Sequence, residues 1–171
     1  VAVAREGIVE PDKLVFLASG LGVDIRRFSP RSDVVPARLR LGIEPNVPVI
    51  GFIGRLTPEK GCFDLLSAIA RIKPVLPNLI CLLVGPAEGR MQRELANSVA
   101  LWGLEDVVRF MGVRDDAPEV LAALDVLVLP SYREGLGMVL MEAAAAGIPA
   151  IASDIRGCHD VVVHGETGLL V

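Results

Sequence analysis

The chain has 171 residues, a mass of 18.2 kDa and 52% apolar residues, a composition typical of one compact domain that folds without disulfide or metal. Seventeen basic against twenty-one acidic residues give a net charge of −4, which argues against DNA or RNA as a partner. Its apolar runs are shorter than the roughly 20 residues of a membrane-spanning helix. We therefore expect no transmembrane segment.

The cysteines indicate the redox compartment of this domain, and the two ends of the sequence indicate whether it is a fragment. Cys62, Cys81 and Cys158 are widely spaced and form no CxxC pair, which argues against a disulfide framework or a zinc site. A reducing compartment, the cytoplasm, fits this pattern. The sequence begins with Val1 instead of Met and ends on the apolar run 168–171. We expect a piece cut from a longer protein.

The first 45 residues are less regular than the rest. They include a possible strand at 14–18, a glycine-rich turn at 19–24 and a helix predicted over 33–41. We interpret residues 1–45 as a lead-in segment and residues 46–171 as a domain of their own.

From residue 46 onward, short apolar runs alternate with amphipathic segments of helical length, a pattern typical of repeated strand–helix–strand units. The predicted strands are 49–53, 79–84, 107–110, 126–129, 150–152 and 169–171. The predicted helices are 62–72, 90–101, 117–123, 138–146 and 157–163. The fold class is therefore α/β, a Rossmann-like open parallel sheet of about six strands with helices on both faces. Such a sheet binds its ligand at the carboxyl ends of the strands.

The loop after the first predicted strand has the features of a phosphate site. It matches neither GxGxxG nor a P-loop. Nevertheless Gly54 permits close backbone approach, a helix N-terminus follows, and Arg55 and Lys60 supply two cations. A diphosphate would suit this loop. The alternative is that both cations are solvated loop charges.

The loop after the fourth predicted strand carries two carboxylates. We expect Glu134 in the loop, Glu142 about two turns into the next helix, and both at the same sheet edge as Arg55. A carboxylate accepts hydrogen bonds from two neighbouring hydroxyls, which suits Glu142 to a ribose and Glu134 to a sugar ring. The amides of residues 135–137 can face phosphate. Alternatively, Glu134 has no ligand and only stabilises the start of the next helix through its negative charge, and Glu142 is a helical charge that faces solvent.

Together these residues resemble a known family. Gly54-Arg55 with Lys60-Gly61, followed by Glu134 and Glu142 in Glu-Gly-Leu-Gly…Glu-Ala, is similar to the donor-binding, C-terminal half of retaining family 4 glycosyltransferases of GT-B fold, the glycosyl transferases group 1. The similarity continues in the family's order through 22–30, 83–85, 109–112, 125–131 and 165–171. The sequence departs from the family at Leu136, where an aromatic residue is usual, and at Cys158-His159, where Ile-Pro is common.

The resemblance implies a nucleotide-sugar donor, with the base near residues 109–112. Arg55, Lys60 and Glu134 would be the catalytic groups, the two cations holding the diphosphate and Glu134 contacting the sugar. The implied donor-binding residues are Gly54, Arg109, Met111, Gly135, Leu136, Gly137 and Glu142. No metal or other cofactor is implied, because fixed cations stabilise the leaving diphosphate. A missing N-terminal domain would bind the acceptor and provide any peripheral membrane contact, so the isolated chain should be inactive.

Other functions fit parts of the pattern. A nucleotide-binding module without turnover would keep Arg55, Lys60 and Glu142, and a sugar-nucleotide epimerase shares the GT-B architecture. A dinucleotide-dependent oxidoreductase is disfavoured, because GxGxxG is missing and Gly85-Pro86 follows the second strand where an acidic residue would stand. Asp115-Asp116 precedes a predicted helix, which favours capping over metal binding.

Overall fold

The computed structural model describes residues 22–30 and 34–171. The strand predicted at 14–18 and the first half of the turn predicted at 19–24 lie outside these residues. Within them, no helix combines the length and the apolar character needed to cross a membrane.

Helices and strands alternate along the chain, as the periodicity predicts. In chain order they are α1 (Val35–Arg40), β1 (Val49–Ile53), α2 (Cys62–Ile72), β2 (Ile80–Val84), α3 (Gly89–Leu101), β3 (Val108–Gly112), α4 (Ala117–Ala123), β4 (Val126–Leu129), α5 (Met138–Ala145), β5 (Ala150–Ala152), α6 (Arg156–His159) and β6 (Gly168–Leu170). A 3-10 turn at Pro58–Lys60 precedes α2. The helix expected over 33–41 is the shorter α1.

The strands form one parallel sheet with the order β3-β2-β1-β4-β5-β6. The chain runs outward from β1 to β3 and then returns to place β4 on the other side of β1. The predicted Rossmann-like class is confirmed. Sheets with this order have a crevice beyond the carboxyl ends of the two strands where the direction reverses, here β1 and β4.

The predicted final helix, 157–163, is wrong in length, because α6 ends at His159. Val161, Val162 and Val163 follow, and β-branched side chains lose rotamer freedom in a helix. The chain turns instead, since the amide of Val163 donates to the Thr167 hydroxyl oxygen at 2.9 Å. Val162 is buried in the core.

Arg38 connects the residues before β1 to the sheet. Its side chain is 5% exposed and donates to the Ala123 carbonyl at 3.0 Å and to Asp125 Oδ1 at 2.7 Å. Asp125 Oδ2 in turn accepts the amide of Val49 at 2.7 Å. A buried guanidinium needs acceptors for its donors, and the carbonyls of Pro45 and Val47 accept from Nη1 as well. Arg38 therefore fixes α1 against the starts of β1 and β4.

Candidate functional site

The loops after β1 and β4 touch at the carboxyl edge of the sheet. Gly61 lies between them with φ 69°, a left-handed conformation that favours glycine. A Cβ atom there would come within 2.0 Å of the Pro130 carbonyl oxygen. The amide of Tyr132 also donates to the Glu59 carbonyl at 2.8 Å. These contacts bring Lys60 and its neighbours against the loop that carries Glu134.

Lys60 and Glu134 form an ion pair in this contact. Lys60 Nζ lies 2.6 Å from Glu134 Oε1, and the two side chains are only 21% and 10% exposed. The hydroxyl of Ser131 donates to the same carboxylate oxygen at 2.8 Å. Ser131 is completely buried, so this bond helps to fix the carboxylate. The sequence analysis did not identify Ser131 as a site residue; its signal is a small polar residue two positions after a strand.

A cavity at this edge, here named the outer pocket, has a volume of about 660 Å³. It brings together the predicted residues Arg55, Lys60, Glu134 and Gly135. Arg133 and Arg156 line the same cavity, and the sequence analysis identified neither. Three of the four charged residues expected to converge therefore do so.

A smaller cavity, the inner pocket, has a volume of about 180 Å³ and lies against the start of α5. Gly54, Leu136 and Gly137 line it, and it shares Lys60 and Glu134 with the outer pocket. The amides of residues 135–137 were expected to face a phosphate there. For Gly137 this is corrected, because its amide donates to the Gly157 carbonyl at 3.1 Å.

A third cavity has a volume of about 470 Å³ and lies beyond β2 and β3; it is named the base pocket only because a nucleobase was predicted near residues 109–112. Met111 lines it, as expected, together with Phe110. The predicted contribution of Arg109 is corrected, because its guanidinium donates to the Gly42 carbonyl at 3.0 Å instead of lining this cavity. A small cleft shares Arg55 with the outer pocket and Pro86 with the base pocket. The cavities thus follow one another along the edge of the sheet.

Glu142 differs most from its predicted placement. It lies about one turn into α5, since that helix begins at Met138, and it lines none of the three pockets. The carboxylate is half-buried, and burial raises its pKa, an effect that the charge of Arg27 opposes. A ribose contact at Glu142 therefore stays a prediction.

Asp116 occupies the N-cap position of α4, but the prediction that its side chain caps this helix is wrong, because its carboxylate bonds to the Arg114 side chain instead. Arg114 Nε donates to Asp116 Oδ1 at 2.8 Å, and this hydrogen bond lowers the pKa of the aspartate. Across residues 22–30 and 34–171, no three histidine, cysteine, aspartate or glutamate side chains are grouped so that they could hold a metal ion.

Comparison with known sequences decides the family. The model of the family "Glycosyl transferases group 1" matches residues 37–171. The chain belongs to this family. It is 33% identical over 155 residues to the lipopolysaccharide core biosynthesis mannosyltransferase LpsB of Rhizobium meliloti, covering 88% of the chain and 44% of LpsB. It is 40% identical over 162 residues to the D-inositol 3-phosphate glycosyltransferase of Rhodococcus erythropolis, covering 88% of the chain and 35% of that protein.

Solved structures agree with this assignment. The Anabaena protein Alr3699/HepE in complex with UDP and glucose matches with a TM-score of 0.80 and 34% identity, covering 88% of this chain and 41% of HepE. The C-terminal domain of the group 1 protein LpcC from Francisella tularensis matches with a TM-score of 0.76 and 28% identity, covering 88% of this chain and 80% of that domain. The resemblance to the C-terminal half of a GT-B glycosyltransferase is confirmed. The chain spans less than half the length of LpsB and HepE.

Proposed function

We propose that this chain is the donor-binding domain of a glycosyltransferase that transfers a sugar from a nucleoside diphosphate to an acceptor, with retention of the anomeric configuration. The observation that carries the proposal is the convergence of Arg55, Lys60 and Glu134 from two loops at one sheet edge. The base pocket follows along the same edge. Family membership and the presence of UDP and glucose in the HepE complex support the same reading.

The donor would extend along the row of pockets. Its base occupies the base pocket beside Met111, and its diphosphate lies where the inner and outer pockets meet, beside Gly54, Arg55 and Lys60. The lysine ammonium has three donors, so it can bind a phosphate oxygen while it keeps Glu134. The sugar then lies next to Glu134, and the ribose hydroxyls bond to Glu142.

The chemical contribution of the cations follows from this placement. As the glycosidic bond breaks, negative charge develops on the leaving diphosphate, and Arg55 and Lys60 stabilise it in the transition state. Within residues 22–30 and 34–171 the amides of Gly135 and Leu136 donate to no backbone carbonyl, and they would assist. We propose that no metal or other cofactor is required, because these groups already oppose the developing charge.

In this proposal the chain is one part of a longer, two-domain enzyme. Residues 46–171 form the donor domain, residues 1–45 lead into it, and an N-terminal domain binds the acceptor and provides any peripheral membrane contact. The share of LpsB and HepE that the chain covers supports this organisation. A cytoplasmic location is supported by Cys62, Cys81 and Cys158, which are free, buried thiols.

Calorimetric titration of the protein with UDP, GDP and ADP tests the donor site. We expect one of them to bind, and Arg55→Ala to weaken that binding about tenfold to a hundredfold, the loss of a charge-assisted contact. Arg93→Ala is the matched control, because Arg93 is an exposed arginine on α3. Unchanged affinity in Arg55→Ala, or an equal loss in Arg93→Ala, would contradict the proposal.

A further inference from the structure

Of the described residues that line the base pocket, only Gln92 has a polar side chain. The others, from Leu56 to Val113 in chain order, are apolar residues or glycines. In ligand pockets the apolar walls supply contact area, while a few polar groups fix the orientation of the ligand. A side-chain hydrogen bond to a ligand in this cavity therefore has to come from Gln92.

The position of Gln92 on α3 places its side chain on the side of the helix that faces the sheet. Residues three or seven apart share one side of a helix. Gln92 precedes Leu95 by three residues and Val99 by seven, and both of these are buried in the core. Gln92 is nevertheless exposed, because it lies in the first turn of α3, where the base pocket opens. Its carboxamide forms no hydrogen bond within the described part of the chain, which leaves it available to a ligand.

Phe110 is a wall of the same pocket and lies on the same face of the sheet as α3. Right-handed crossovers place α2 and α3 on one face and α4 on the other, and α1 packs against α4. The Arg109 side chain donates to the Gly42 carbonyl, just after α1. Neighbouring residues of a strand point to opposite faces, so Phe110 points to the α3 face. Its ring is 42% exposed, which leaves an aromatic surface open to the cavity.

A nucleobase has both features that such a pocket binds, a planar ring and an edge of hydrogen-bond donors and acceptors. Stacking on an aromatic ring tolerates every base, because each base has a π face. A carboxamide has one acceptor and two donors, so it pairs with a base edge at a defined position. That edge lies farther from the ribose in a purine than in a pyrimidine. One fixed carboxamide therefore suits only one of the two ring sizes.

We propose that Gln92 discriminates between purine and pyrimidine donors by hydrogen bonding to the base edge, beside the ring of Phe110. The inference rests on the proposed function, in which the nucleobase occupies the base pocket. A base of the wrong ring size leaves the carboxamide unpaired, and a site with an unpaired polar group rejects that ligand. Gln92 is then a specificity-determining residue at the end of the site that is farthest from Lys60 and Glu134.

Calorimetric titration of Gln92→Met with UDP, GDP and ADP tests the inference. Methionine keeps the length and the helix propensity of glutamine but has no carboxamide. The wild-type protein should prefer UDP over the two purine nucleotides, or the reverse, by about tenfold or more. Gln92→Met should weaken the binding of the preferred nucleotide about fivefold to thirtyfold, the loss of one or two hydrogen bonds. Affinity for nucleotides of the other ring size should change less than about twofold, so the preference narrows.

Asn97→Leu is the matched control, because it removes an exposed carboxamide from the same helix. Asn97 lies five residues after Gln92, which is about 140° around the helix axis. Its side chain therefore extends away from the base pocket. Asn97→Leu should keep the wild-type affinities for all three nucleotides.

The opposing outcomes are distinct. If the wild-type protein binds the purine and pyrimidine nucleotides equally well, or if Gln92→Met keeps the full preference, the inference is overturned and the proposed function stands. An equal loss for all three nucleotides in Gln92→Met also overturns it, because the substitution would then have acted on the whole site. If the wild-type protein binds none of the three nucleotides, the proposed function itself is refuted, and the inference fails with it.

Discussion

Lys60 stabilises the fold as well as the candidate site, because its counterion is mostly buried. Removing the ammonium in Lys60→Met leaves the charge of Glu134 without its closest partner, at a side chain that is 10% exposed. We expect the free energy of unfolding to fall by about 2 kcal/mol, less than for a fully buried pair because Lys60 itself is partly exposed. Urea denaturation measures this loss.

The double variant Lys60→Met/Glu134→Gln is the control for that experiment. Once the carboxylate is neutral it no longer needs the lysine, so most of the lost stability should return. If the double variant loses as much unfolding free energy as Lys60→Met and Glu134→Gln lose together as single variants, the two side chains do not interact.

Which residues belong to the site was predictable only for those that lie in a recognisable loop motif. Arg55, Lys60 and Glu134 lie in two such loops, and the structure brings them together. Arg109 was not predictable, because its side chain bonds to a carbonyl 67 residues earlier in the chain. Arg156 was not predictable either, because only the packing of α6 places it at this edge of the sheet.

At the scale of elements, the contact between the β1 and β4 loops depends on Gly61. Gly61 and Gly103 both have left-handed φ, 69° and 61°, but a Cβ atom on Gly103 would meet nothing within 4 Å. Gly103→Ala should therefore lose about 1 kcal/mol of unfolding free energy from conformation alone. Gly61→Ala should lose at least about 2 kcal/mol more, because its Cβ would overlap the Pro130 carbonyl and force the loops apart.

Chemical denaturation of the two variants measures this difference. Equal losses in Gly61→Ala and Gly103→Ala would mean that the loops separate without cost. Nucleotide affinity should also fall in Gly61→Ala alone, since Lys60 moves with the loop.

The strands were the most predictable elements. The run 49–53 has the bounds of β1, and β2 is buried at all five positions, as a strand covered on both faces should be. The last helix was less predictable because its length depends on a hydrogen bond between Val163 and Thr167, residues beyond its end. The position of Glu142 relative to the pockets depends on the rotation of α5, which a mostly apolar helix does not reveal.

At the scale of the whole molecule, buried thiols couple stability to pH. Burial raises the pKa of Cys62 to about 11 and that of Cys81 to about 12, from 9.0 for an ordinary thiol. Above pH 9 the unfolded chain releases protons that the folded protein keeps, so the free energy of unfolding falls as pH rises from 9 towards 11. Below pH 9 these thiols add no pH dependence.

Denaturation at a series of pH values between 8 and 11 tests this linkage. Cys81→Ala should have a flatter decline above pH 9 than the wild-type protein, whatever its absolute stability. Identical slopes in the two proteins would contradict the assignment to Cys81.

Alternation of strands and helices predicted the doubly wound class, but it did not predict which strands are neighbours. The order depends on β4 pairing with β1 and not with β3, and that pairing joins residues as far apart in sequence as Ile50 and Val126. The core cluster that β1, β2 and β4 share joins residues far apart in sequence. Contacts between residues so far apart produce no pattern that can be seen in a short stretch of the sequence.

The parallel arrangement of the strands has a practical consequence. Every connection from a helix back to a strand, such as the one that contains the exposed residues 74–78, lies at the amino edge of the sheet, opposite the row of pockets. Changes of length accumulate in surface connections of this kind. Fluorescent labels, epitope tags or inserted peptides could therefore be accommodated there while the two central loops keep their geometry.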